Sequence, residues 1–248
     1  MKKLIVIVAV LITGCKSPDL MMSPDLKDNS VGYDVKGRQG WQINQVISYG
    51  DYHSSKIKRG WESHFNVEFI ARFKNASQKI SFTQFGSSGS VDVLAVSKFT
   101  NNEVPLLGGY MSYSFNYKDA FAGTIISSNN NSSKSWDFIF YNMGEISSQG
   151  FLCGDVKQQP NGDEIQIRGI SQSAGSSRWD MQKYAGFEFL YRGKSVGAVS
   201  LVNNGKVWFS NDLKDEEKLV LAAVSTALLA RHDLNKDHSG SSSFFPSR

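Results

Sequence analysis

Apolar residues recur at every second position along much of this chain. Val67, Phe69, Ala71 and Phe73 interleave with Glu68 and Arg72, and Trp136, Phe138 and Phe140 alternate with polar or aliphatic neighbours. Ile165 and Ile167 flank Gln166, while Phe187, Phe189 and Tyr191 surround Glu188. A period of two is that of a strand with one buried face. Turn residues separate these runs: Gly86 and Gly89, Gly108-Gly109, the serine and asparagine run 127–133, Asn161-Gly162 and Asn203-Asn204-Gly205. The last predicts a hairpin between SVGAVSLV and KVWFS. The pattern predicts twelve strands, over 41–49, 53–60, 64–73, 79–85, 90–99, 109–117, 120–127, 135–142, 163–169, 186–192, 194–202 and 206–210. Regular short strands with turns between them point to a closed barrel or a sandwich.

One segment breaks the period. Residues 219–230 read LVLAAVSTALLA, without a charge, after an acidic stretch holding Asp215, Glu216 and Glu217. Acidic side chains suit the positive end of a helix dipole, and Asp212 is placed to cap it. Arg231 and His232 follow at the negative end. The spacing predicts a helix over 213–232 that is apolar nearly all round, which requires protein on every side. Its six large aliphatics represent about 10–15 kcal/mol of gross burial. It is too short to cross a bilayer.

Apolar residues make up 40% of the 248 residues and charged residues 20%, which excludes a disordered or strongly charged tail protein. Residues 1–15 read MKKLIVIVAVLITGC. Two lysines precede a nine-residue apolar run, residues 4–12, the layout of a signal peptide over 1–14. LITGC resembles the lipobox of bacterial lipoproteins, with Ile12 where leucine is commoner. The resemblance implies lipidation of Cys15 and a palmitate-type acyl anchor in a bacterial membrane. Lys16, rather than an aspartate, after the cysteine implies the outer membrane of the cell envelope. Removal of Lys2 and Lys3 lowers the formal net charge from +4 to +2, which leaves little basis for nucleic-acid binding.

Residues 15–40 lack periodicity and repeat SPDL twice. They read as a lipidated cysteine and a flexible tether, which at full stretch reaches roughly 80 Å. A single domain over 41–234 and a flexible tail over 235–248 complete the expected organisation.

Strands in this number followed by an apolar C-terminal helix resemble the tubby-like superfamily, which includes the tubby C-terminal domain, phospholipid scramblases and LURP-one-related proteins. The resemblance is carried by FEFLYR, SVGAVSLV, KVWFS, the acidic DLKDEEK and LVLAAVSTALLA. It implies a mainly β fold, an antiparallel barrel of about twelve strands closed around a buried hydrophobic helix. A β-sandwich, or a lipocalin-like barrel with a packed helix, is the alternative.

Candidate chemistry is sparse. Gly86-Ser87-Ser88-Gly89-Ser90 lacks the spacing of a nucleophile elbow and reads as a loop. His53, His64, His232 and His238 do not fall at metal-ligand spacing, and no nucleotide-binding signature occurs, so no metal or cofactor is expected. Cys153, the one cysteine besides Cys15, reads as a buried apolar residue. The pairs Asp163-Glu164 and Glu216-Glu217 are poorly placed for acid–base work. The most distinctive polar stretch runs from Tyr49 to Trp61. There Lys56 and Lys58 share an expected strand face with Arg59 near its end, a candidate anion or head-group site or, alternatively, a solvated edge. The expectation is a lipid-anchored envelope protein that is not an enzyme and acts as a binding or structural module. Its partners are the membrane through Cys15 and an envelope protein or lipid head group. Handling of a lipid or other apolar ligand, and an enzyme with dispersed catalytic residues, are the alternatives.

Overall fold

The computed structural model describes residues 20–38, 44–60, 78–97, 103–105, 112–114, 121–127, 135–140, 152–159, 162–170 and 185–231. The expected signal peptide, Cys15, the strand over 64–73 and the tail over 235–248 lie outside these residues. In chain order the elements are α1 (Pro24–Asp28), β1 (Ser30–Asp34), β2 (Ser48–Tyr49), β3 (Tyr52–Ser54), β4 (Lys58–Arg59), β5 (Gln78–Gly86) and β6 (Gly89–Ser97). Next come β7 (Glu103–Pro105), β8 (Ser112–Ser114), β9 (Phe121–Ser127), β10 (Ser135–Phe140), β11 (Leu152–Gln159) and β12 (Glu164–Ile170). Then follow β13 (Gly186–Tyr191), β14 (Lys194–Ser200), β15 (Lys206–Ser210) and α2 (Asp215–Ala230).

Strands β7 and β8 pair only with each other; in the others the alternating pattern gives one apolar face, and these faces turn inward on one continuous antiparallel sheet. Its order is β1-β15-β14-β13-β12-β11-β10-β9-β6-β5-β3-β2, with β4 added on β5. One sheet, rather than two stacked ones, excludes the sandwich. Just beyond β1, Lys36 exchanges two backbone hydrogen bonds with Ser48 of β2, at 2.9 and 3.1 Å. This bridge brings the two ends of the sheet together, so the wall is a nearly closed barrel. The β14–β15 hairpin forms as its sequence predicts, with Asn203 and Gly205 at positive φ in the turn.

Helix α2 lies inside this wall. Residues 219–230 are all buried, eight of them with no accessible surface. Contacts come from around its circumference. Tyr49 of β2 bonds its middle, a Cβ on Gly86 of β5 would strike Leu219, one on Gly197 of β14 would touch Leu221, and one on Gly205 would strike Leu229. The helix lies nearest β5 and β6. On its far side the lumen is filled by Phe121, Phe138, Phe140 and Phe187, whose ring centroids are 5.2–6.2 Å apart. Each such pair adds about 0.5–1.5 kcal/mol beyond its buried area. Gly123 sits opposite Phe138, where a Cβ would come within 2.3 Å of the ring, so only glycine lets that ring cross the strand.

Two expectations are corrected. Helix α2 begins after Lys214 rather than at Asp212. The Lys214 N–H donates to the Glu217 carboxylate at 2.9 Å, while Asp212 accepts from Lys194 and Asn29. The described part of the expected tether is packed rather than flexible. Leu20 and Leu26 are buried on the outside of the wall against Ile170, Ala185, Ala198 and Trp208, and β1 zips onto β15. Gly186 leaves the hollow that Leu20 fills, and Val35 adds a buried side chain to the main core.

Candidate functional site

The two ends of the barrel differ. At one end α2 enters; this mouth is ringed by the β5–β6, β11–β12 and β13–β14 turns. At the other end α2 terminates, beside the β14–β15 turn. Because α2 lies toward β5 and β6, the inner faces of β9, β10 and β11 are left facing a gap at the mouth, with the start of β6 at its edge. Trp136 heads that wall, directly opposite Ile125 on one side and Gln158 on the other. The gap is a cavity of about 440 Å³. Val91, Ile125, Leu219 and Val220 form its buried apolar floor. Ser90, Ser127, Gln158, Asp163 and Glu216 give it a polar rim. A volume of this size with an apolar floor and a few polar groups has the form of a small-ligand pocket. Beside the floor, opposite Val91, Gln84 is fully buried and its Oε1 accepts no hydrogen bond among the described residues.

The rim carboxylates are partly committed. Glu217 accepts the Lys214 N–H. Asp163 accepts the Tyr191 hydroxyl at 2.6 Å, a bond that raises the tyrosine pKa, and lies 4.0 Å from Arg192. With three carboxylates against Lys214, the mouth disfavours strong anions even though it holds a helix N-terminus. It suits a neutral or cationic group able to lie on the Trp136 ring and hydrogen-bond to the serines.

Lys56, Lys58 and Arg59 do not converge. Lys56 and Lys58 are exposed on either side of buried Ile57. Arg59 turns the other way, to the end of α2. Its Nη1 donates to the Ala230 carbonyl at 2.9 Å and its Nη2 to Gln45 Oε1 at 2.6 Å. The flanking Tyr49 and Tyr52 point into the core, so they do not frame a surface site. The other arginine at that end, Arg231, is buried with its guanidinium 5.3 Å from the Phe121 ring. Cys153 is buried, and burial together with Asp155 pushes its thiol up to about 12, which favours the protonated form. His53 stacks on Phe85 at 5.0 Å; the other three histidines lie outside the described residues. Among the described residues no group of histidine, cysteine and carboxylate side chains is arranged to hold a metal. Ser87 and Ser88 form the two-residue turn of the β5–β6 hairpin, as the loop reading has it.

A buried polar cluster escapes the sequence pattern. Glu188 faces outward between Phe187 and Phe189, yet is 1% exposed because the segment around Ser23 lies over it. It pairs with Arg168 and accepts the Ser23 N–H and the Ser195 hydroxyl, each at 2.8 Å. Burial works to raise its pKa, but these three donors outweigh it and hold the carboxyl below its ordinary value. The cluster fastens the N-terminal segment to the wall. No protein-family model, curated protein or solved structure matches this chain.

Proposed function

We propose that the protein is a lipid-anchored module of the bacterial envelope that binds a ligand or partner at the mouth of its barrel and performs no chemistry on it. The observation that carries the binding reading is the mouth cavity, with its apolar floor, the Trp136 wall and a hydroxyl- and amide-bearing rim. Two of the three carboxylates there, Glu217 and Asp163, serve Lys214 and Tyr191, which leaves them poorly free for acid–base work. A lipid carrier needs an open lumen, and α2 with the phenylalanine cluster occupies it. The lipobox-like LITGC supports the anchor at Cys15.

Two measurements test this reading. Cys15→Ala should move the protein from washed membranes into the soluble envelope fraction, and the native chain should carry acyl mass. For the mouth, a photo-reactive residue at Ser127 should give adducts in intact cells that the same residue at exposed Val31 does not. Equal labelling at both positions, or none at Ser127, overturns the mouth as the binding site.

A further inference from the structure

The N-terminal segment fixes where the barrel hangs from its anchor. Leu20 is seated in the hollow at Gly186, at the start of β13, the end of the wall where α2 terminates. From there the segment climbs the outer wall past Glu188 to Asn29, which bonds Asp212 beside the mouth, and β1 runs back down. Cys15 is five residues before Leu20, so the α-carbons of the two are at most about 18 Å apart. The far mouth is separated from that end by α2, about 24 Å of helix at 1.5 Å per residue.

Charge follows the same axis. Among the described residues at the end where Leu20 sits, Lys36 and Lys58 are exposed, and Arg38 and Lys206 are half-exposed, with Asp34 among them. Arg38 is held in place there by the Leu201 and Asn203 carbonyls, at 2.7 and 2.9 Å. At the mouth Asp51, Asp163, Glu164, Asp215 and Glu216 are interleaved with Lys157, Arg192, Lys194 and Lys214. The basic end is thus the one the short lead from Cys15 holds near a membrane.

We propose that this basic end is a docking face for a negatively charged bilayer surface, so that the barrel stands end-on and its mouth cavity opens away from the membrane that carries it. The proposal rests on the Cys15 anchor. Basic side chains are attracted to anionic head groups only within about a Debye length, and an 18 Å lead lets them reach that distance. The ligand of the mouth then arrives from the aqueous side rather than from the anchoring bilayer.

The test uses acylated protein made in cells from the full sequence and reconstituted in vesicles containing phosphatidylglycerol and a nitroxide-head-group lipid. A fluorophore is placed on Val46→Cys or Asn204→Cys at the basic end, and on Ile126→Cys or Ser87→Cys at the mouth. Native Cys153 is buried and does not compete. Several-fold stronger quenching at Val46 and Asn204 than at Ile126 and Ser87 is expected. The contrast should fall with Lys36→Glu and Lys58→Glu together, and in vesicles of neutral lipid. Acylated protein with equal quenching at both ends, or stronger quenching at the mouth, overturns the docking face while leaving the anchor intact. Protein recovered without acyl mass overturns the anchor and the docking face together.

Discussion

The Tyr49 hydroxyl lies 2.7 Å from the Ala222 carbonyl oxygen, in the middle of α2 and out of reach of water. Its one proton goes to that carbonyl, so the Thr226 hydroxyl, 2.9 Å away, donates to Tyr49 in turn. The pair fixes the height and rotation of a helix whose other interior contacts are almost all apolar and directionless. Tyr49→Phe should therefore lower stability by about 1–3 kcal/mol. A urea titration of Tyr49→Phe, Thr226→Val and the double variant checks it; additive single effects would show that the two hydroxyls are not coupled.

Leu221, Ala223, Val224 and Leu228 sample the circumference of α2 at about 100° per residue, and none has accessible surface. Aspartate at each of the four should cost about 3–5 kcal/mol, a large part of a domain's stability. Thermal melts decide it: one variant that melts within a few degrees of the native chain would mean that α2 has a solvent side.

Glu188 makes stability pH-dependent with a definite sign. Its folded pKa is depressed, so its contribution is complete above the unfolded carboxyl value of about 4.3 and is lost as pH falls through the folded value. The native chain should lose stability on acidification faster than Glu188→Gln. Melts of both proteins from neutral pH down to about pH 3 should show their difference shrinking as pH falls; a constant difference would refute the assignment.

Arg59 and its lysine neighbours should separate cleanly. Arg59→Ala removes the donor to the Ala230 carbonyl at the end of α2 and should cost about 1.5–3 kcal/mol. Lys56→Ala and Lys58→Ala remove exposed charges and should stay within about 0.5 kcal/mol of the native chain. Denaturant midpoints for the three variants test this directly.

The barrel was legible wherever a strand's own alternation and its turn agreed. FEFLYR, SVGAVSLV and KVWFS show this, as does the uninterrupted apolar run of α2. Strand β11 was not, because LCGDVKQQ carries glycine and polar residues, and Gly154 is needed where a Cβ would strike the Ile139 carbonyl oxygen. Strand β1 was hidden for a different reason. SVGYD has little apolar pattern of its own, and its order comes from β15, at the other end of the chain. Arg59 likewise looked free because its partner, the Ala230 carbonyl, is 171 residues away. At the mouth, Trp136 was visible only as a strand residue. Its neighbours Ile125 and Gln158 come from other strands, and nothing local shows that α2 stops short of filling the space between them.

The bridge between Lys36 and Ser48 closes the wall only after β1 has found β15, and Asn29 and Asp212 beside that pairing are 183 residues apart. Loop closure over that span carries a large entropic cost before any contact repays it, and high contact order slows folding. Nearly the whole chain must be available before the first strand meets the last. Until then β2 and β15 remain open edges with unpaired backbone groups, the usual point of attack for aggregation. The interval between synthesis and closure is thus when this protein depends most on being kept apart from other copies of itself.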